Sequence, residues 1–311
     1  MFAGQNGENM KKLVEDIVKL KKQRNAVILA HYYVEDEVQE IADYIGDSYY
    51  LSKVAKELKE DVIVFAGVSF MGESAKLLNP QKVVLMPDMK ADCAMAHMVN
   101  TEKIGKMREE YEDLAVVCYI NSTAEIKTYA DVCVTSANAV KIVKNLPNKN
   151  IFFIPDGNLG RYVAEQVPEK NVILNDGYCP VHAAQTKMDV LEAKSKYPNA
   201  EFVVHPECIQ ELLEEASYIG STSGIIDYVT KSQCKEFIIG TEDGVFYELK
   251  KKNPHKKFYK LNEKFVCQDM KLVNLEKIKN VLETFDNQVE VSKEVREKAL
   301  RPLENMLEYA K

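Results

Sequence analysis

The residues of this chain best equipped for chemistry are its seven cysteines, Cys93, Cys118, Cys133, Cys179, Cys208, Cys234 and Cys267. None forms a CxxC pair, and the closest two in sequence, Cys118 and Cys133, stand 15 residues apart. That spacing disfavours zinc ribbons, thioredoxin-type motifs and local ferredoxin-type cluster motifs, and an odd count argues against a closed disulfide framework. Taken singly, each cysteine reads as a small buried hydrophobe. Taken together, three of them keep step: 86 residues separate Cys93 from Cys179, and 88 separate Cys179 from Cys267. Three thiols meeting at one place have two main uses. A zinc site on three cysteines usually takes a fourth protein ligand. A 4Fe–4S cluster normally takes four thiolates; on three, one iron keeps an open position and can act as a Lewis acid. His97 and His182 lie near these cysteines in sequence, and His182, in YCPVH, is a candidate proton carrier.

The spacing of the thiols follows from a repeat. Three apolar runs that end in polar residues, AVILAHYY (26–33), LAVVCYIN (114–121) and AEFVVHPE (200–207), have the pattern of buried parallel strands. Each is followed by a second landmark, ADYIGDS (42–48), ADVCVTS (130–136) and ASYIGST (216–222), and then by a run that reads as strand, glycine-containing turn and helix. The offsets are constant. His31 to Tyr119, Ser48 to Ser136 and Val62 to Asn150 are each 88 residues; Tyr119 to His205, Ser136 to Thr222 and Asn150 to Glu236 are each 86. A general likeness among βα units does not predict three ungapped landmarks in one register. Each unit reads as helix, strand, helix, short strand, helix, strand, helix, strand, then a cysteine. The fold class expected is therefore α/β, with three αβα domains on parallel sheets related by a pseudo-three-fold axis.

Ligands of such sheets bind beyond the C-terminal ends of the strands. The register makes His31, Tyr119 and His205 equivalent there, and likewise Tyr33, Asn121 and Glu207. Ser48, Ser136 and Thr222 each precede a helical segment, where a hydroxyl ordinarily serves as N-cap. Three helix N-termini on one axis would also favour an anion such as a carboxylate or phosphate. The chain as a whole has 311 residues, is 46% hydrophobic and 29% charged, and carries a net charge of −7. That composition suits a soluble globular protein and disfavours bulk binding to nucleic acid or membrane surfaces. The sequence shows no run of about 18 apolar residues and no apolar signal-peptide core, so a cytoplasmic location with reduced thiols is expected.

The motifs LAHYY (29–33), ADYIGDS, GVSFMGESAKLLNP (67–80), ADCAMA (91–96), YINSTAEIKTYADVCVTSANA (119–139), PDGNLGRYVAEQ (155–166), GYCPVHAA (177–184), HPEC (205–208), IGST (219–222), IGTEDG (239–244) and VCQDMK (266–271) resemble those of the quinolinate synthase A family of NAD biosynthesis. The resemblance runs from about Leu13 to the tail. It implies three α/β domains around a central 4Fe–4S cluster, with Cys93, Cys179 and Cys267 as its three ligands and one open iron. It implies a condensing and dehydrating transferase that joins iminoaspartate (iminosuccinate) to dihydroxyacetone phosphate, giving quinolinate, phosphate and water. It assigns substrate binding to His31, Ser48, Tyr119, Asn121, Ser136, His205, Glu207 and Thr222. Tyr33 and His182 match further active-site positions. On this reading Glu207 is the candidate base, His205, His182 and Tyr33 move other protons, and Tyr119 and Asn121 orient the dicarboxylate. An aspartate oxidase or aspartate dehydrogenase would supply the imine; neither nucleic acid nor membrane is a partner.

The organisation expected is an N-terminal helix over 1–25, repeats over 26–112, 113–198 and 199–271, and a helical tail over 272–311 packing back on the first repeat. Two rivals remain at this stage: a zinc-dependent lyase or aldolase on the same thiols, and a cluster-bearing redox sensor without catalysis.

Overall fold

In a computed structural model of the chain, residues 2–311 are described, with side chains described from residue 7 onward. Among the described residues twelve strands form three four-stranded sheets, and every pairing within them is parallel. The first sheet has β1 (Ala26–His31), β2 (Tyr44–Gly46), β3 (Val62–Ala66) and β4 (Val83–Leu85) in the order β2-β1-β3-β4. The second repeats that order as β6-β5-β7-β8, with β5 (Leu114–Tyr119), β6 (Val132–Val134), β7 (Asn150–Ile154) and β8 (Asn171–Leu174). The third does so again as β10-β9-β11-β12, with β9 (Glu201–Val204), β10 (Tyr218–Ile219), β11 (Glu236–Gly240) and β12 (Lys257–Lys260). The central strands β1, β3 and β5 are buried along their whole length. Helices cover both faces of such a sheet, which is why these strands read as unbroken apolar runs rather than alternating ones.

The repeat extends to single hydrogen bonds. The N–H of Asp43 donates to Ile28 O, that of Asp131 to Val116 O, and that of Ser217 to Phe202 O, at 3.0, 2.9 and 2.8 Å. The Asp43 and Asp131 carboxylates in turn accept the Ile28 and Val116 N–H groups. At the far end of each middle helix a lysine caps the last carbonyl: Lys82 on Leu58, Lys170 on Leu146 and Lys256 on Ser232. A cation there meets the carbonyls and partial negative charge of the helix C-terminus.

By contacts the chain divides into two compact units: residues 1–92 with 268–292, and 93–267 with 293–311. The first unit holds one sheet and the second holds two. The expectation that the whole tail packs on the first repeat needs correction. Helix Leu275–Thr284 does so, lying against helix Phe2–Gln23 and β3, with Arg24 donating to the carbonyls of Leu282 and Glu283. Helix Lys293–Tyr309 instead packs on β6 and on helices Ala124–Lys127 and Ala139–Asn145 of the second repeat. Its buried face, Ala299, Pro302, Leu303 and Met306, needs an apolar partner, and Asn305 Nδ2 donates to Asp131 O there at 2.8 Å. An amphipathic pattern shows that a helix must be covered, but not by which sheet unit. No helix among the described residues is long and apolar enough to cross a membrane.

Candidate functional site

Each cysteine loop is held by one recurring bond. The N–H of Ser69 donates to Ala91 O, that of Gly157 to Gly177 O and that of Asp243 to Phe265 O, at 2.8, 2.7 and 2.9 Å. The three donors follow the ends of β3, β7 and β11, and each acceptor stands two residues before Cys93, Cys179 or Cys267. In the second repeat the approach is so close that only glycine fits. A Cβ on Gly157 would lie 2.5 Å from Asn175 O, and one on Gly177 would lie 2.5 Å from Pro155 O. All three cysteines belong to the second unit. Burial pushes the Cys93 thiol up to about 12, with Glu207 and Cys267 adding to the shift. Burial likewise lifts the Cys179 thiol well above its usual range, and Glu207 and Cys93 reinforce it. These are thiols in one another's electrostatic reach, in a place that penalises negative charge until a cation arrives.

Beside them runs a buried chain of polar side chains. Tyr119, at the end of β5, donates its O–H to Glu207 Oε1 at 2.6 Å. The other carboxylate oxygen, Oε2, lies 2.9 Å from His182 Nδ1. His182 Nε2 lies 3.0 Å from Thr241 Oγ1, and Nδ1 is also 3.2 Å from Cys179 Sγ. A carboxylate only accepts, so Nδ1 carries the hydrogen, and in the neutral ring Nε2 accepts from the Thr241 hydroxyl. His205 has the opposite tautomer. Its Nδ1 accepts the Glu207 N–H at 3.3 Å, which leaves the hydrogen on Nε2, 3.2 Å from Ser136 Oγ. The two rings stand 5.0 Å apart. Burial raises the Glu207 carboxyl, but His182, His205 and the hydrogen bonds from His182 and Tyr119 outweigh it and hold the carboxyl well below the usual range. Burial pushes His205 down to about 4, against an opposing pull from Glu207. Glu207 is therefore ionised and His205 neutral at neutral pH.

Several of the residues singled out from sequence come together here: Cys93, Cys179, Cys267, Tyr119, Ser136, His182, His205 and Glu207. Asn121 follows β5 in the same unit, and its Oδ1 is buried without a hydrogen-bond partner. Thr222 is buried at the first turn of helix Thr222–Lys231. His31, Tyr33 and Ser48 belong to the first unit. There the His31 Nδ1 accepts the Tyr33 N–H at 3.2 Å, repeating the His205–Glu207 arrangement, and Ser48 opens helix Ser48–Glu57. The expected N-cap role of the three hydroxyls falls to their neighbours. Asp47 and Ser221 cap two of the helices through their side chains, and Asn138 stands at the third N-cap position. Ser136 is thereby left for His205. His97 lies exposed on the 3₁₀ turn Ala94–His97.

Thr241 was not singled out from sequence. The equivalent places in the other repeats are Gly67 and Pro155, so the register carried no signal for it. Asn158 was missed for the same kind of reason; its Nδ2 donates to the Glu207 carbonyl at 3.2 Å. The other cysteines have structural places. Cys118 and Cys133 are neighbours in register on β5 and β6, both fully buried. Cys208 lies in the apolar core with Phe202, Leu212, Ile238 and Phe265. Cys234 is half-buried near Glu236 O. The ligand atoms of Cys179, His182 and Glu207 lie within 4.8 Å of one another, a group that could hold a metal ion.

Comparison with known proteins agrees with this picture. The sequence model of the family described as "Quinolinate synthetase A protein" matches residues 15–308. A quinolinate synthase of Fusobacterium nucleatum subsp. nucleatum is 56% identical over 294 residues, which cover 94% of this chain and 98% of that protein. One of Clostridioides difficile is 53% identical over 300 residues, covering 96% and 99%. One of Caldicellulosiruptor saccharolyticus is 51% identical over 302 residues, covering 97% and 100%. With this identity spread over almost the full length of each protein, and with the thrice-repeated sheet beneath it, the chain belongs to the quinolinate synthase family.

Proposed function

We propose that this chain is a quinolinate synthase of NAD biosynthesis that condenses iminoaspartate with dihydroxyacetone phosphate, releasing phosphate and water. The observation that carries this reading is the buried Tyr119–Glu207–His182–Thr241 chain set against three thiols from successive repeats. The donor set fits an iron–sulfur cluster: three soft, half-buried thiols, with Cys93 in electrostatic reach of both Cys179 and Cys267. Cys93, Cys179 and Cys267 would hold a 4Fe–4S cluster, which supplies an iron with an open position, a Lewis acid for a substrate oxygen or nitrogen.

The chain's own residues do the rest. His182 is the proton carrier of the buried pair, because its Nδ1 faces the ionised Glu207 carboxylate across 2.9 Å. Glu207 thus acts as a base through His182 rather than as a free carboxylate. His205, with hydrogen on Nε2 toward Ser136, can donate to a substrate carboxylate or carbonyl. The unpartnered Asn121 Oδ1 can accept from an imine or hydroxyl hydrogen. Tyr119 orients the dicarboxylate from the same face. Ser48 and Thr222 stand at the first turns of ten-residue helices, whose free amides favour carboxylate or phosphate oxygens. The family resemblance gives His31 and Tyr33, of the first unit, further binding and proton-moving roles. A cytoplasmic location and supply of the labile imine by an aspartate oxidase or aspartate dehydrogenase belong to the same reading.

The test is to purify the chain without oxygen, supply both substrates and measure quinolinate. No quinolinate from a fully loaded protein would overturn the reading. A zinc-dependent lyase is the second reading, favoured by the Cys179, His182 and Glu207 grouping. Metal analysis separates the two: a brown protein with about four irons per chain supports the cluster, and a colourless one with a single zinc supports the lyase.

A further inference from the structure

We propose that Glu242 is a positioning residue for Cys267, the clamp that presents the third thiol to a metal cluster; this rests on the cofactor reading above. Glu242 follows the end of β11 by two residues and is completely buried. Its Oε1 accepts the N–H of Cys267 at 3.1 Å, and its Oε2 accepts the N–H of Gly244 at 2.7 Å. The next residue, Asp243, donates its N–H to Phe265 O. One short turn thus grips the Cys267 loop at two points, the carbonyl two residues before the cysteine and the cysteine's own amide. A buried carboxylate is tolerated when its oxygens meet N–H donors, and such charge-assisted bonds are among the stronger ones available.

The register shows that this is more than a turn closing on itself. The residue 86 before Glu242 is Asp156, also completely buried. Asp156 Oδ1 accepts the amides of Asn158 and Leu159, in its own helix, at 2.8 and 3.0 Å. The loop of Cys179 is closed instead by the paired glycines, Gly157 and Gly177. In the first repeat the equivalent residue is Val68, and the neighbouring Ser69 hydroxyl bonds the carboxylate of Asp92, just before Cys93. Each repeat therefore closes turn on loop with different side chains, and in the third a carboxylate does so on the amide of the cysteine itself. Groups one shell behind a metal ligand orient it, and their loss commonly weakens metal retention.

The experiment uses the full chain as parent, Glu242→Ala, Glu242→Asp and Glu242→Gln. In the metal-free proteins, the rate at which iodoacetamide alkylates each cysteine is followed by peptide mass spectrometry. Glu242→Ala should speed alkylation of Cys267 about tenfold while Cys93 and Cys179 keep the parent rate. Glu242→Gln retains an acceptor for the Cys267 amide and should stay within about threefold of the parent. In reconstituted protein, Glu242→Ala should lose iron to a chelator about ten times faster than the parent. Equal acceleration at all three cysteines, or none at Cys267, overturns the clamp. If Glu242→Ala exposes Cys118 and Cys133 as well, the fold has been lost and Glu242→Asp decides, since its shorter side chain cannot reach both amides. There too, Cys267 reacting no faster relative to Cys93 and Cys179 overturns the proposal. A parent that takes up no iron overturns the cofactor reading, and the alkylation ranking still decides the role of Glu242.

Discussion

His182 and His205 stand side by side in opposite tautomers because each is addressed from a different side. Glu207 takes the hydrogen of His182 Nδ1 with its carboxylate, whereas its backbone N–H occupies His205 Nδ1. Thr241 completes the assignment of His182. Thr241→Val keeps the shape but removes the hydroxyl from Nε2. It should lower kcat on the order of tenfold with iron content and KM unchanged, and shift the acid limb of the pH profile; Thr241→Ser should restore both. The same pocket sets a pH dependence of stability. The folded pKa of His205 is depressed from 6.5 to about 4, so the unfolded chain binds this proton first. Its contribution is complete above about pH 6.5 and is lost as pH falls toward 4, by an amount on the order of 3 kcal/mol. Glu207, also depressed, acts in the same direction at lower pH. Urea midpoints of the metal-free protein measured across that window should fall with pH, and His205→Gln should flatten the fall.

The element that recurs most faithfully is the strand pair β1–β3 with its copies β5–β7 and β9–β11, and the sequence shows all three as apolar runs. Local physics is enough for that, since a strand buried on both faces has little choice of side chain. The lysine caps are an element-scale feature of the same kind. Lys170 Nζ donates to the carbonyls of both Leu146 and Asn148, closing helix Ala139–Asn145. Lys170→Met should cost about 1 kcal/mol of stability, read from the urea midpoint, and leave quinolinate formation at the parent rate. The hydroxyls were harder to place. Ser48, Ser136 and Thr222 stand within a residue or two of a helix start, and one residue of slippage decides whether a hydroxyl caps a helix or faces a site. Asp47 and Ser221 take the caps; cap propensity does not separate Asp47 from Ser48 and favours Ser221 over Thr222 only slightly.

Across the whole molecule the seven cysteines separate into two kinds. Cys93, Cys179 and Cys267 follow equivalent strand-end bonds in three repeats, while Cys118, Cys133 and Cys208 are buried among apolar side chains and Cys234 is half-buried, outside the register. Replacing any of the first three by serine should abolish the visible absorbance of protein purified without oxygen. Cys118→Ser should leave it intact, apart from a loss of stability from placing a hydroxyl in the core. Bleaching by Cys118→Ser would show that equivalence in the repeat does not select the ligands.

By itself the sequence determined the repeat, the strand order's building blocks and the residue types at the strand ends. All of these arise from periodicity and from landmarks that recur at 86 and 88 residues. Only the tertiary structure decided which side chains meet. Tyr119 reaches Glu207 across 88 residues of chain, and His182 reaches Thr241 across 59, a separation that matches no repeat. It also decided that helix Lys293–Tyr309 covers the second repeat and not the first. The physical reason is common to these cases. An apolar stripe or a strand announces that it must be buried, but a hydrogen bond between loops is selected by distance and direction, and those exist only once the sheets have packed.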